Sequence, residues 1–400
     1  MAHTIGQRTT SLADTAKERL AGDGSRPQTQ PWEDIVTALL ATATLFAVFW
    51  DGWLHNNTGE LDSFWSQAHI AMYGGLSALG AWIGLTFLRH QPKGRFEISL
   101  AVVPRGYGLA LVALPLAALG GPGDFAWHAV YGFENQADAP FSPTHQLLFL
   151  SGALLGAMPL ASAWWRAGRR PAISALWPAV LSMTAVVAMI NFTFMNLLPW
   201  FWAVVPTTDF QQDLLRYDDA YAPGADIVHP EGLGQAVERL GDGPFPYYFF
   251  ANMQSIAGVL IFSVVMVGSI LYLRRRWVLP FGSLTLMFGL LGVLFPFFTA
   301  FRHPELIVGM IAAGVLLDLL QRALVSSEDP PATWRVRVFA LLIPPVIWGC
   351  WLLAIALASG VGWNETVWTG VLSTTAGVGY GISLLVFPPA LPGGGAIEEA

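Results

Sequence analysis

Two short segments hold four of the chain's eight histidines, each segment opening with an aspartate four residues before its first histidine. The first reads Asp51-Gly-Trp-Leu-His55, then Gly59-Glu60, then Phe64-Trp65-Ser66-Gln-Ala-His69. The second reads Asp124-Phe-Ala-Trp-His128, then Gly132-Phe-Glu134, then Phe141-Ser142-Pro143-Thr144-His145. Each has an Asp-x-x-x-His with a tryptophan between, a glycine four residues after the histidine, an acid close behind and a second histidine further on. On a helix, Asp and His at i and i+4 share one face with neighbouring Cβ atoms. A second histidine at the start of a returning helix points back at that pair. One carboxylate and two imidazoles then form a three-donor set for a d-block ion with open positions. Cys350 is the single cysteine, so thiolate clusters and intrachain disulfides are excluded. Copper, zinc, iron or manganese fit the donor types. The same residues can also form a purely structural hydrogen-bond network, and both readings stand at this point.

The two segments are offset by 73 residues at both the Asp and the first His, while the spacing between histidines is 14 in one and 17 in the other. That pattern predicts an internal duplication of a helix–loop–helix hairpin whose loop has changed length. Glu60, Asp62 and Glu134 are candidate partners that orient the imidazoles. His303 and Glu305, opening a later helix behind Pro304, are candidates to complete the site, although a plain helix-start role accounts for them.

The elements that must position these residues are membrane helices. The chain has 400 residues, of which 54% are hydrophobic and 12% charged, about half the charge of an ordinary soluble protein. Runs long enough to span a bilayer, about 20 apolar residues each, fall at roughly 32–50, 67–88, 98–121, 145–165, 173–203, 249–273, 278–299, 304–322, 335–358 and 363–388. The fold class expected is therefore all-α, a polytopic integral membrane bundle of about ten transmembrane helices. The run 173–203 is long for one span and is expected to tilt or break near Pro199. The parts are a cytoplasmic tail over 1–31, a duplicated hairpin region over 32–165, spans five to seven with an acidic outer segment 204–245 over 166–303, spans eight to ten over 304–388, and a second tail over 389–400.

Charge sets the expected orientation. With ten spans, 17 of the 20 basic residues fall on one side, leaving Arg216, Arg239 and Arg302 on the other. The positive-inside rule then places both termini in the cytoplasm of a cell-membrane protein, with the Asp/His segments facing out. The first 31 residues lack the apolar core of a signal peptide. A net charge of −7 leaves no basic stripe for nucleic acid; the lipid bilayer is the expected partner. Asp318 is expected near the cytoplasmic end of its helix, paired with Arg322 at i+4, and Asn191 and Asn196 as links between helices. His229 and Glu231 in the acidic segment read as solvated. Phosphate-loop, dinucleotide and hydrolase signatures are absent.

The segment Asp124-Phe-Ala-Trp-His128 with Phe141-Ser-Pro-Thr-His145 resembles the C subunit of the particulate methane and ammonia monooxygenases. That family has an Asp-x-x-x-His with a preceding Trp, and a Phe-Thr-Pro-Ser-His-like segment entering the next helix. The resemblance covers about 25 residues, and the loop between the histidines is longer here. It implies that Asp124, His128 and His145 are copper ligands near the outer membrane face; the neighbouring Trp127 and Phe141 are expected to keep water out. By the internal repeat, Asp51, His55 and His69 would be a second or degenerate site. It further implies an oxidoreductase working with other membrane subunits. A metal-handling or transport protein, and a structural membrane subunit, are the competing classes. A parallel repeat with polar groups at the surface counts against simple alternating access.

Overall fold

The computed structural model describes residues 26–57, 63–92, 94, 96, 100–133, 139–166, 168–198, 205–209, 245–297, 299–326 and 331–389. Among these the chain is helical throughout, with one isolated bridge between Thr207 and Val361. The helices are α1 (Pro31–Asn57), α2 (Gln67–Arg89), α3 (Ala110–Tyr131), α4 (Pro143–Gly156), α5 (Met158–Arg166), α6 (Ile173–Thr193), α7 (Phe245–Arg276), α8 (Ser283–Phe297), α9 (Glu305–Leu324), α10 (Thr333–Ala358) and α11 (Glu365–Val386). Among the described residues, nine helical segments are long and apolar enough to cross a membrane, with α4 and α5 together making one of them.

Four of the expected runs take different bounds in the structure. The first helix does not stop at residue 50 but continues through Asp51 and His55. The third begins twelve residues later than expected and runs on to Tyr131. The apolar run before it is broken at Gly106, whose φ of +86° only glycine adopts readily. A Cβ there would also collide with the α5 backbone at Ser162. The seventh expected span becomes α8, 15 residues long. At 1.5 Å per residue that is about 22 Å, short of the ~30 Å hydrocarbon core. The long run 173–203 resolves into α6 and a 3-10 turn at Met195–Leu197, so the helix ends at Thr193, before the expected Pro199.

Proline and a hydroxyl explain the break between α4 and α5. Pro159 cannot donate to the ladder, and Ser182 of α6 inserts there. Its Oγ accepts from Leu160 N at 3.1 Å and donates to the Gly156 carbonyl. Inserting a side chain into the i→i−4 ladder is a recognised cause of a kink.

Helix α1 packs on α2, α4, α5, α6 and α8, while α8 to α11 pack in succession and α7 lies against α11. One core cluster joins α1 and α6 to α10, and a smaller one around Tyr107, Ile83 and Leu155 joins α1 to α4. Basic residues gather at one end of the bundle. There Glu33 meets Arg89 at 3.3 Å and His90 at 3.1 Å, and Asp34 meets Arg166 at 2.6 Å. Asp51 lies 17 residues further along α1, about 26 Å away at the helical rise.

Asp318 is buried and does not play the expected role beside Arg322. Its carboxylate caps α8 instead, accepting from Gly282 N at 3.0 Å, Leu284 N at 3.2 Å, Thr285 N at 2.9 Å and Thr285 Oγ1 at 2.7 Å. Four donors left over at a helix start explain the preference. Asn191 likewise turns its amide onto Val187 of its own helix, at 2.8 Å, and among the described residues it makes no hydrogen bond to a neighbouring helix.

Candidate metal centre

Each Asp/His segment folds as a hairpin that returns its second histidine to the first pair. Asp51 and His55 occupy the last two turns of α1, and Asp124 and His128 the last two of α3. The returning helices begin with serine caps. Ser66 Oγ accepts from His69 N at 3.1 Å, and Ser142 Oγ accepts from His145 N at 3.2 Å, with Pro143 in the first helical position. The cap therefore fixes the histidine at the third helical residue, facing back into the hairpin.

The result is two buried groups, Asp51–His55–His69 and Asp124–His128–His145, in each of which the three donor atoms lie within 4.8 Å of one another. In the first, Asp51 Oδ1 is 3.1 Å from His69 Nε2, and Oδ2 is 3.7 Å from His55 Nε2. In the second, Asp124 Oδ1 is 3.1 Å from His145 Nε2 and 3.5 Å from His128 Nε2. Donors about 2.1 Å from one tetrahedral ion stand about 3.4 Å apart. The carboxylate–imidazole distances of both groups are close to that spacing, and both groups could hold a metal ion.

The ring nitrogens sharpen the point. His69 Nδ1 lies 2.6 Å from the Phe64 carbonyl and His128 Nδ1 lies 3.0 Å from the Gly132 carbonyl. A carbonyl only accepts, so each Nδ1 carries the proton. In the neutral ring Nε2 is then a lone pair turned toward a carboxylate, and two acceptors face each other. A cation must lie between them, either a proton on Nε2 or a metal ion. Backbone carbonyls on Nδ1 are the usual partners that hold a ligating imidazole in place. The predicted glycine explains one of them. Gly132 ends α3 at φ +80°, turning its carbonyl back onto the ring.

Aromatic rings pack against the histidines of the site. Phe64 packs between His69 and His128, at 5.0 and 5.9 Å between ring centres, and Phe133 stacks on His128 at 4.6 Å. Phe149 stacks on His145 at 6.0 Å. The two residues expected to keep water out lie elsewhere, since Phe141 is exposed and Trp127 packs on Tyr131. The two groups adjoin, with the His69 and His128 rings 6.1 Å apart. A cavity of about 50 Å³ reaches both, lined by Asp51, His55, Tyr73 and His145 and floored by methionines 72 and 189.

Two polar neighbours were not foreseen from the sequence. Tyr73 of α2 donates to Asp124 Oδ2 at 2.6 Å, and Thr144 Oγ1 donates to Asp124 Oδ1 at 3.0 Å. Thr144 lies inside the second segment, beside a ligand. Tyr73 is four residues after His69 and so shares its helix face, a signal that was available. Of the other candidates, His303 and Glu305 pair with each other at 2.8 Å, outside both groups. Glu60, Asp62, Glu134, His229 and Glu231 lie outside the described residues.

The chain matches no protein-family model, no curated protein and no solved structure. What the fold and site define is a class: a multi-pass helical membrane protein with two buried Asp/His/His groups able to hold metal.

Proposed function

We propose that this chain is a metalloprotein of the cell membrane that holds transition-metal ions, copper foremost, in its two Asp/His/His groups on the outward side. In this reading it is an oxidoreductase or a subunit of one, related to the copper membrane monooxygenases and working with other membrane subunits. The observation that carries the metal reading is the pairing of a proton-committed Nδ1 with an Nε2 turned toward a carboxylate, at His69 and at His128. Copper follows from the motif resemblance, and zinc or iron satisfy the same donors. The duplicated hairpin accounts for two copies of one donor set. The sorting of basic residues to the opposite end supports an outward site by the positive-inside rule.

Such an ion supplies Lewis acidity and an open coordination position. The chain's own residues do the rest. Asp51 and Asp124 offset the ion's charge, the Phe64 and Gly132 carbonyls hold the rings, and Phe64, Phe133 and Phe149 keep bulk water out. A second reading, a closed polar network without metal, is favoured by the 3.1 Å contacts of His69 and His145 with their carboxylates, which suit imidazolium–carboxylate pairs.

Elemental analysis of the purified protein separates the two. Metal is expected in the wild type and in His303→Ala, and reduced in His69→Ala, His128→Ala and His145→Ala. Equal metal content in all five proteins overturns the proposal.

A further inference from the structure

The two groups have the same three ligands and are built by the same kind of hairpin, yet their carboxylates differ in support. Asp124 is fully buried, and both of its oxygens are held: Oδ1 by Thr144 at 3.0 Å and Oδ2 by Tyr73 at 2.6 Å. Each carboxylate oxygen accepts about two hydrogen bonds, so Oδ1 keeps a lone pair for the side where His128 and His145 stand. Asp51 Oδ1 is buried with no hydrogen bond, although His69 Nε2 lies 3.1 Å away. The difference is written in the sequence at matched positions. The residue before the second histidine is Thr144 in one hairpin and Ala68 in the other. The residue four after it is Phe149 in one and Tyr73 in the other, and that tyrosine reaches across to the neighbouring group. The imidazoles are alike in one respect: His69 in one group and His128 in the other are each anchored by a carbonyl through Nδ1.

We infer that the two metal groups are unequal, that Asp124–His128–His145 is the tighter and fills first, and that Tyr73 is its positioning residue, lent by the hairpin of the weaker group. This rests on the metal reading above and adds an order of filling to it. The terminal torsion of an aspartate is soft and broad. An ion at Asp51 must therefore order the carboxylate that it binds, whereas Asp124 is already set by two hydroxyls. Partners of this kind change metal affinity by about 10- to 100-fold when removed. The arrangement also couples the groups. His69 and Tyr73 lie one turn apart on α2, so whatever fixes one ring of that turn bears on the other group's carboxylate.

The test titrates the metal-free full-length protein in lipid nanodiscs with Zn²⁺ alone, at free concentrations set by a chelator, and counts bound zinc. The wild type should bind in two steps. His145→Ala should remove the tighter step and leave the weaker, and His69→Ala should do the reverse. Tyr73→Phe should weaken the tighter step about 10- to 100-fold and leave the weaker step in place. Thr144→Val should act in the same direction, and Thr144→Ser should restore wild-type binding. A loss of overall folding would move both steps together and is thereby distinguished from a positioning effect. The inference is overturned by a single affinity for both ions, by loss of the tighter step in His69→Ala, or by an unmoved tighter step in Tyr73→Phe. A wild type that takes up no zinc removes the metal reading itself.

Discussion

The contact between Asp34 and Arg166 offers a quantitative test of how α1 is held. Asp34 is buried, and its carboxylate accepts from Arg166 at 2.6 Å, Thr29 Oγ1 at 2.9 Å and Tyr107 at 3.0 Å. The Arg166 side chain is 25% exposed and also donates to the Thr29 carbonyl at 3.0 Å. The two ends of the pair are therefore unequal in what they lose. Arg166→Met keeps the apolar stem but strands a buried carboxylate with two hydroxyl donors, which should cost about 3–5 kcal/mol. Asp34→Asn leaves a guanidinium that still has a carbonyl and can turn toward water, and should cost about 1–2 kcal/mol. The double variant should cost less than the sum by about 1–3 kcal/mol, because neither charge is then left alone. Unfolding of purified protein in mixed micelles, driven by a rising fraction of ionic detergent and followed by helical circular dichroism, gives all three values. Additivity within about 0.5 kcal/mol, or a larger loss from Asp34→Asn than from Arg166→Met, would refute the reasoning. Metal content should stay at the wild-type level throughout, since the triads stand about 26 Å along the helix from Asp34.

Two further outcomes are expected. Asp318→Ala removes the one carboxylate that serves four donors at the start of α8, and should destabilise the protein by about 3 kcal/mol in the same detergent assay; a change under 0.5 kcal/mol, within the ~±0.5 kcal/mol range of ordinary surface substitutions, would contradict the capping role. Zinc affinity should fall as pH falls, because protons compete with the ion for Nε2 of both histidines in a triad, with a slope approaching about two decades per pH unit in acid. Affinity that stays flat between about pH 7.5 and 5.5 would contradict binding through imidazole nitrogen.

The membrane bundle was legible because its signal is compositional: long apolar runs with charge confined to their ends survive any error in local detail. Boundaries were less legible. The apolar run for α1 ends at residue 50, whereas the helix buries Asp51 against His69 and continues to Asn57. The late start of α3 depended on Gly106 meeting the α5 backbone, a tertiary contact that no window of sequence contains. The six triad residues could be read directly, because i, i+4 spacing and a capped helix start are local rules. Their support could be read only in part. Thr144 sits within the segment, but the reach of Tyr73 to Asp124 depends on how two hairpins lie side by side. Asp318 shows the same limit, since its i+4 neighbour Arg322 is a local candidate and the α8 start that it serves is 33 to 36 residues away in sequence.

The serine caps carry a consequence for how these hairpins tolerate change. His69 and His145 are each placed by a serine three residues earlier, within the helix that they begin. Their positions are thus set by a four-residue local fold and not by the length of chain that leads to it. The connection between the paired histidines differs by three residues in the two hairpins, yet both bring the second Nε2 to 3.1 Å from its carboxylate. The number of residues ahead of each cap can therefore change while the donor geometry stays put, provided that the Phe64 and Gly132 carbonyls still meet their rings. That leaves the length of each connection free to vary over a constant centre.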